Sequence, residues 1–156
     1  MSTIPAAKVK MLLVAVTEPF KWAPLHFVAK ETQSIRTAIP SHIPIDFLCD
    51  FDSPEVKPAA SPTTNAIIKE LPSTSILHLA CHGHQDQNNP LDSGFVMQDS
   101  MLTVATLMAL KLDNAFLAFL SACETAKGDK AQPNQAIHLA ATMLFAGFRS
   151  VVGTMW

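Results

Sequence analysis

The stretch Met11-Leu12-Leu13-Val14-Ala15-Val16 contains no polar side chain. A run this short cannot cross a membrane as a helix. Unbroken apolarity, rather than alternation, is the mark of a β-strand covered on both faces. The pattern recurs unbroken in Ala115-Phe116-Leu117-Ala118-Phe119-Leu120 and, interrupted only by His78, in Ile76-Leu77-His78-Leu79-Ala80-Cys81. Strands of that kind need layers of helix above and below, so the chain between them has to supply helices.

It does. Residues 28–39 read as an amphipathic helix stopped by Pro40, since the residue before a proline is pushed out of helical geometry. Residues 45–49 form a second short strand, and 50–62, with Pro54, Pro58 and Pro62, a surface loop. Thr63 or Thr64 can cap a helix whose apolar positions are Ile67, Ile68 and Leu71, with Pro72 behind it. The strand at 75–81 is followed by a polar, turn-rich segment over 82–92. A short strand at 95–98, a short helix at 103–110 and the strand at 115–120 come next. Residues 128–133 are a polar loop. Asn134 can cap a helix over 135–146, whose Met and Phe residues are expected in the core. Gly147 falls where a left-handed C-cap belongs, and 150–155 reads as a last, buried strand. The order β-α-β repeated predicts an α/β fold, a mostly parallel sheet with helices on both faces.

With 156 residues, one domain is expected. Hydrophobic residues at 49% and charged residues at only 15% exclude a disordered chain. A net charge of −2 carries no electrostatic footprint for nucleic acid or an anionic membrane, and neither is expected as a partner. Cys49, Cys81 and Cys123 do not make a disulfide framework. A reducing, cytoplasmic setting suits free thiols.

In open parallel sheets, sites form at the carboxyl ends of strands. Two ends carry reactive groups: Ala80-Cys81-His82-Gly83 and Ser121-Ala122-Cys123-Glu124-Thr125. If these strands are neighbours, His82 faces Cys123. Cysteine attacks as the thiolate, and an adjacent imidazole takes its proton and later returns one to the leaving amine. Gly83, lacking a side chain, can bring its backbone N–H close to a developing oxyanion, and the Cys123 N–H can supply a second donor.

Bland readings fit the other candidates. Cys81 points away from the face of His82 and reads as core packing. His78 shares that face and reads as a satisfied core histidine. His138 is expected to be structural, and His26 and His42 to be surface residues. A zinc site from His78, Cys81, His82 and His84 is disfavoured because a strand splays successive ligands apart, so no metal is expected. Gly83 and Gly94 make no phosphate-binding fingerprint, and no cofactor is expected.

His78-Leu79-Ala80-Cys81-His82-Gly83 resembles the histidine motif of the CHAT domain, a caspase-related module. Leu120-Ser121-Ala122-Cys123-Glu124-Thr125-Ala126, followed by Gly128-Asp129, resembles its cysteine motif. Pro90-Leu91-Asp92-Ser93-Gly94, Ala136-Ile137-His138-Leu139-Ala140 and the stretch from Ala146 to Trp156 fit the same family in order. The histidine precedes the cysteine by about 40 residues, close to the roughly 50 seen in caspases. The resemblance implies a caspase-like three-layer sandwich over 1–156. It also implies peptide-bond hydrolysis through a Cys123–His82 dyad on a polypeptide substrate. Glu124, next to the nucleophile, and Ser121, two residues before it, are candidates for contact with the substrate, the bland reading of Glu124 being an exposed carboxylate. The family further implies attachment to a helical-repeat domain in a longer protein, and a C-terminal part beyond Trp156 that completes the groove. The other reading, of a different class, is a catalytically silent CHAT-like interaction and signalling module.

Overall fold

The computed structural model describes residues 9–123 and 134–154. Its elements follow the expected alternation. β1 (Met11–Ala15) leads to α1 (Val28–Ala38), and β2 (Ile45–Cys49) to α2 (Thr64–Glu70). β3 (Ile76–His84) is followed by a hairpin of β4 (Gly94–Val96) and β5 (Met101–Thr103). Then come α3 (Val104–Met108), β6 (Leu117–Cys123), α4 (Asn134–Ala146) and β7 (Ser150–Gly153).

Local chemistry sets most boundaries. α1 ends because Ile39, the residue before Pro40, is extended at φ −80°, ψ 131°. Thr63 is the N-cap of α2, and its side chain accepts the Ala66 N–H at 3.3 Å. α4 ends in a Schellman turn: Gly147 at φ +125° donates to the Leu144 carbonyl and Phe148 to that of Met143.

The described residues form a seven-stranded sheet. β2, β1, β3, β6 and β7 run parallel in that spatial order, while β4 and β5 are antiparallel additions. β3 is the hub. Its first part pairs with β1 from Ile76 to Ala80, and its other edge pairs with β6 from Ile76 to His82. Past the end of β1, β4 takes over the vacated edge at His82, Gly83 and His84.

Alternating side chains feed two cores. Leu12, Val14, Leu77, Leu79, Cys81, Ala118 and Leu120 face α2, α3 and α4, where Ile67, Leu107, Leu139 and Met143 are buried. Met11, Leu13, Ala15 and Ala80 face α1, joined by Val28 and Phe47. Each fully buried Leu, Ile or Met removes enough apolar surface from water to stabilise the fold by about 1.5–3 kcal/mol. Helix, sheet and helices thus stack as an α/β three-layer sandwich, the caspase-like arrangement expected from the motifs.

Four local expectations need correction. β3 does not stop at Cys81. It continues through His82 to His84, because β4 offers that polar segment a pairing partner. β6 starts at Leu117 rather than Ala115 and carries on to Cys123 alongside β3. β7 is not buried: it pairs only with β6 among the described residues, and Val152 is 46% exposed. In α4 the inward positions Leu139, Met143 and Ala146 are spaced for one helix face, which leaves Phe145 78% exposed and His138 also exposed on the outside.

Candidate active site

The register across β3 and β6 decides what can meet. Parallel pairing sets His78 opposite Phe119, Ala80 opposite Ser121, and His82 opposite Cys123. Neighbouring strands lie about 4.8 Å apart, so the backbone positions of His82 and Cys123 are as close as two non-bonded residues in a sheet can be. His82 and His78 alternate onto the face that α1 covers, opposite the Cys81 face.

The loop after β1 completes the surroundings of His82. Asp50, just past β2, gathers the start of this loop: its carboxylate accepts from the Thr17 N–H, the Thr17 hydroxyl and the Glu18 N–H at 2.8–3.0 Å. Phe20 N–H donates to the Met97 carbonyl, and Leu25 N–H closes the loop onto the Thr17 carbonyl at 2.9 Å. Lys21 sits at φ +59°, a left-handed conformation that L-residues other than Asn and Asp rarely adopt. The outcome is that the Ala23 carbonyl reaches His82, accepting from Nε2 at 2.8 Å.

That bond assigns the imidazole. A carbonyl oxygen can only accept, so Nε2 carries the hydrogen and Nδ1 is the basic nitrogen of the neutral ring. The Trp22 indole lies tilted over the same ring, centroids 5.4 Å apart, and meets His84 edge-on at 5.3 Å. His82 has no exposed surface.

One layer further along the same face is a second polar group. Glu31 of α1 accepts from His78 Nε2 at 2.8 Å and from the Ser121 hydroxyl at 3.1 Å. His78 is buried and stacked on Phe119, ring centroids 5.0 Å apart. It is therefore a satisfied core histidine. Burial pushes the Glu31 carboxyl up, but the hydrogen bonds from His78 and Ser121, with the charge of His78, outweigh it and hold the group below its ordinary value.

The expected site residues fall as follows. His82 and the Cys123 position come together, while Gly83 is buried in β3 opposite Phe95. Ser121 is half-buried and turned to Glu31. Glu124 and the loop over 128–133 lie outside the described residues. The Ala23 carbonyl, Trp22 and Glu31 were not anticipated. In the sequence, Pro19 and Pro24 mark a loop over 19–24 without saying what it approaches, and Glu31 has no motif at all. Among the described residues, no cluster of three or more His, Cys, Asp or Glu could hold a metal ion, and no helix is long and apolar enough to cross a membrane.

The mostly parallel α/β sandwich, with a carbonyl-bound histidine in register with a cysteine, is consistent with the caspase-like, peptidase-related class that the CHAT family implies. The family model of the CHAT domain matches residues 3–156, and the chain belongs to that family. No curated protein matches it.

Proposed function

We propose that this chain is a caspase-like cysteine endopeptidase domain that hydrolyses peptide bonds of a polypeptide substrate through Cys123 and His82. The observation that carries the reading is the opposition of His82 and Cys123 in adjacent parallel strands. The hydrogen bond from His82 Nε2 to the Ala23 carbonyl supports it, since it leaves Nδ1 basic and restrains the ring. In this reading the Cys123 thiol gives its proton to His82 Nδ1, and the thiolate adds to the scissile carbonyl. The backbone N–H groups of Gly83 and Cys123 receive the developing oxyanion. The protonated imidazole then donates to the departing amine, and the acyl-enzyme is released by a water that gives its proton to the same nitrogen. A reducing compartment such as the cytoplasm keeps the thiol competent.

Full burial of His82 favours a second reading, a catalytically silent CHAT module that acts by binding other proteins. Alkylation separates the two. Cys49 is buried, its thiol donates to the Phe51 carbonyl, and burial pushes it up; Cys81 is wholly buried. Under the peptidase reading, iodoacetamide near neutral pH labels Cys123 faster than either, by mass spectrometry of peptides, and His82→Ala abolishes the preference. Equal labelling of the three thiols, or a preference that survives His82→Ala, would falsify the dyad and leave the silent module.

A further inference from the structure

The cover over His82 is thin in one direction. Trp22 contacts the imidazole and is itself half-exposed, so on that side the indole connects the buried ring with the surface. The backbone beneath it is fixed by the Asp50, Met97 and Thr17 hydrogen bonds, and by the Ala23 carbonyl, which is bound to His82. Freedom to move therefore resides in the Trp22 side chain rather than in the loop. Lys21, immediately before it, holds the left-handed turn from which the indole is presented. Strained backbone of this kind costs about 1–3 kcal/mol and concentrates at ligand clamps. The same loop exposes two further aromatic rings, Phe20 at 45% and Phe27 at 84%. Exposed large apolar side chains on the loop that carries the cover of a buried reactive group offer it a contact surface for a ligand.

We infer that Trp22 determines specificity: it selects polypeptides that place a large apolar side chain next to the scissile bond on its leaving-group side. The inference rests on the peptidase reading. The general acid has to reach the departing nitrogen, so a side chain packed against His82 adjoins the leaving-group side of the bond. A wholly buried imidazole is reached only when a neighbour yields, and in this inference the half-exposed indole yields, giving up its contacts with both His82 and His84. An aromatic or long aliphatic substrate side chain restores an apolar partner to the displaced indole. A serine or aspartate at that position leaves the indole in water with nothing in return. The exchange discriminates between substrates because the cover is lifted only when an equivalent contact replaces it.

The test compares kcat/KM for paired peptides that differ only in the residue after the scissile bond, Phe against Ser. The wild-type chain is expected to prefer Phe by roughly tenfold or more, the scale on which apolar pockets discriminate. Trp22→Ala should reduce that ratio to about twofold or less, while Trp22→Phe keeps most of it. No preference in the wild type, or one unchanged in Trp22→Ala, overturns the inference. Thermal unfolding of each variant establishes that it is folded, and Cys123→Ala gives the blank. Cleavage that persists in the blank, or is absent for every peptide, sinks the peptidase reading instead. Diethyl pyrocarbonate labelling of His82 then still decides the role of Trp22: labelling is slow in the wild type and faster in Trp22→Ala, and equal rates refute Trp22 as the cover.

Discussion

Glu31 is the residue whose removal tests the packing of the site most directly. Its carboxylate is the acceptor for two donors on neighbouring strands, His78 Nε2 and the Ser121 hydroxyl, at 2.8 and 3.1 Å. In Glu31→Ala the His78 N–H, on a side chain only 7% exposed, loses its acceptor. An unsatisfied buried donor costs about 1–3 kcal/mol. Glu31 is 32% exposed, so water can recover part of this, and the Ser121 hydroxyl can turn to solvent. The expected loss is about 1–2 kcal/mol at pH 7, which for a domain of this size lowers Tm by roughly 2–8 °C. Glu31→Gln should lose less, because the amide oxygen still accepts from His78 while its NH2 donates to Ser121. Urea unfolding at a series of pH values also reads the charge. The folded carboxyl titrates below its ordinary 4.5, so above that value the unfolded state gains nothing by protonation and the full contribution is present. As pH falls below 4.5 the unfolded chain takes up its proton first, and the contribution is lost through the lower, folded value. The gap between wild type and Glu31→Gln should therefore close in acid. Glu31→Ala as stable as the wild type at pH 7, or a gap that widens in acid, would refute the reasoning.

Two further perturbations follow from the same contacts. Gly147→Ala combines a backbone at φ +125° with a Cβ 2.8 Å from the Leu112 carbonyl oxygen, and should cost at least about 1–2 kcal/mol; an unchanged Tm would contradict the C-cap assignment. Asp50→Ala removes the acceptor that gathers Thr17 and Glu18, so amide exchange over residues 17–25 should accelerate by mass spectrometry, while β6 keeps its protection. Protection unchanged in the loop would show that Asp50 does not hold it.

How much of this was legible beforehand follows from the range of each interaction. The strand at 45–49, the stop before Pro40, the Thr63 cap and the Gly147 turn depend on sterics and hydrogen bonds within a few residues. Those forces are written in residue types. The histidine and cysteine motifs were legible too, since each is contiguous, and the alternation of apolar runs with amphipathic stretches dictated layered α/β packing. Local pattern failed where pairing overrode it. His82-Gly83-His84 is polar and reads as a turn, yet it is strand because β4 takes the edge that β1 leaves open. Phe145 reads as core, yet the face that α4 turns to the sheet is occupied by Leu139, Met143 and Ala146.

The chain alone thus determined the architecture and the two motifs, because burial of short apolar runs admits few arrangements. The tertiary structure decided how the imidazole is held. The Ala23 carbonyl lies 59 residues before His82, and Glu31 lies 90 before Ser121. A main-chain carbonyl has no residue signature, and a lone glutamate on a helix differs in nothing from a solvated one until the sheet is stacked against it. Only folding brings such groups within hydrogen-bond reach, and that closeness assigns the protons.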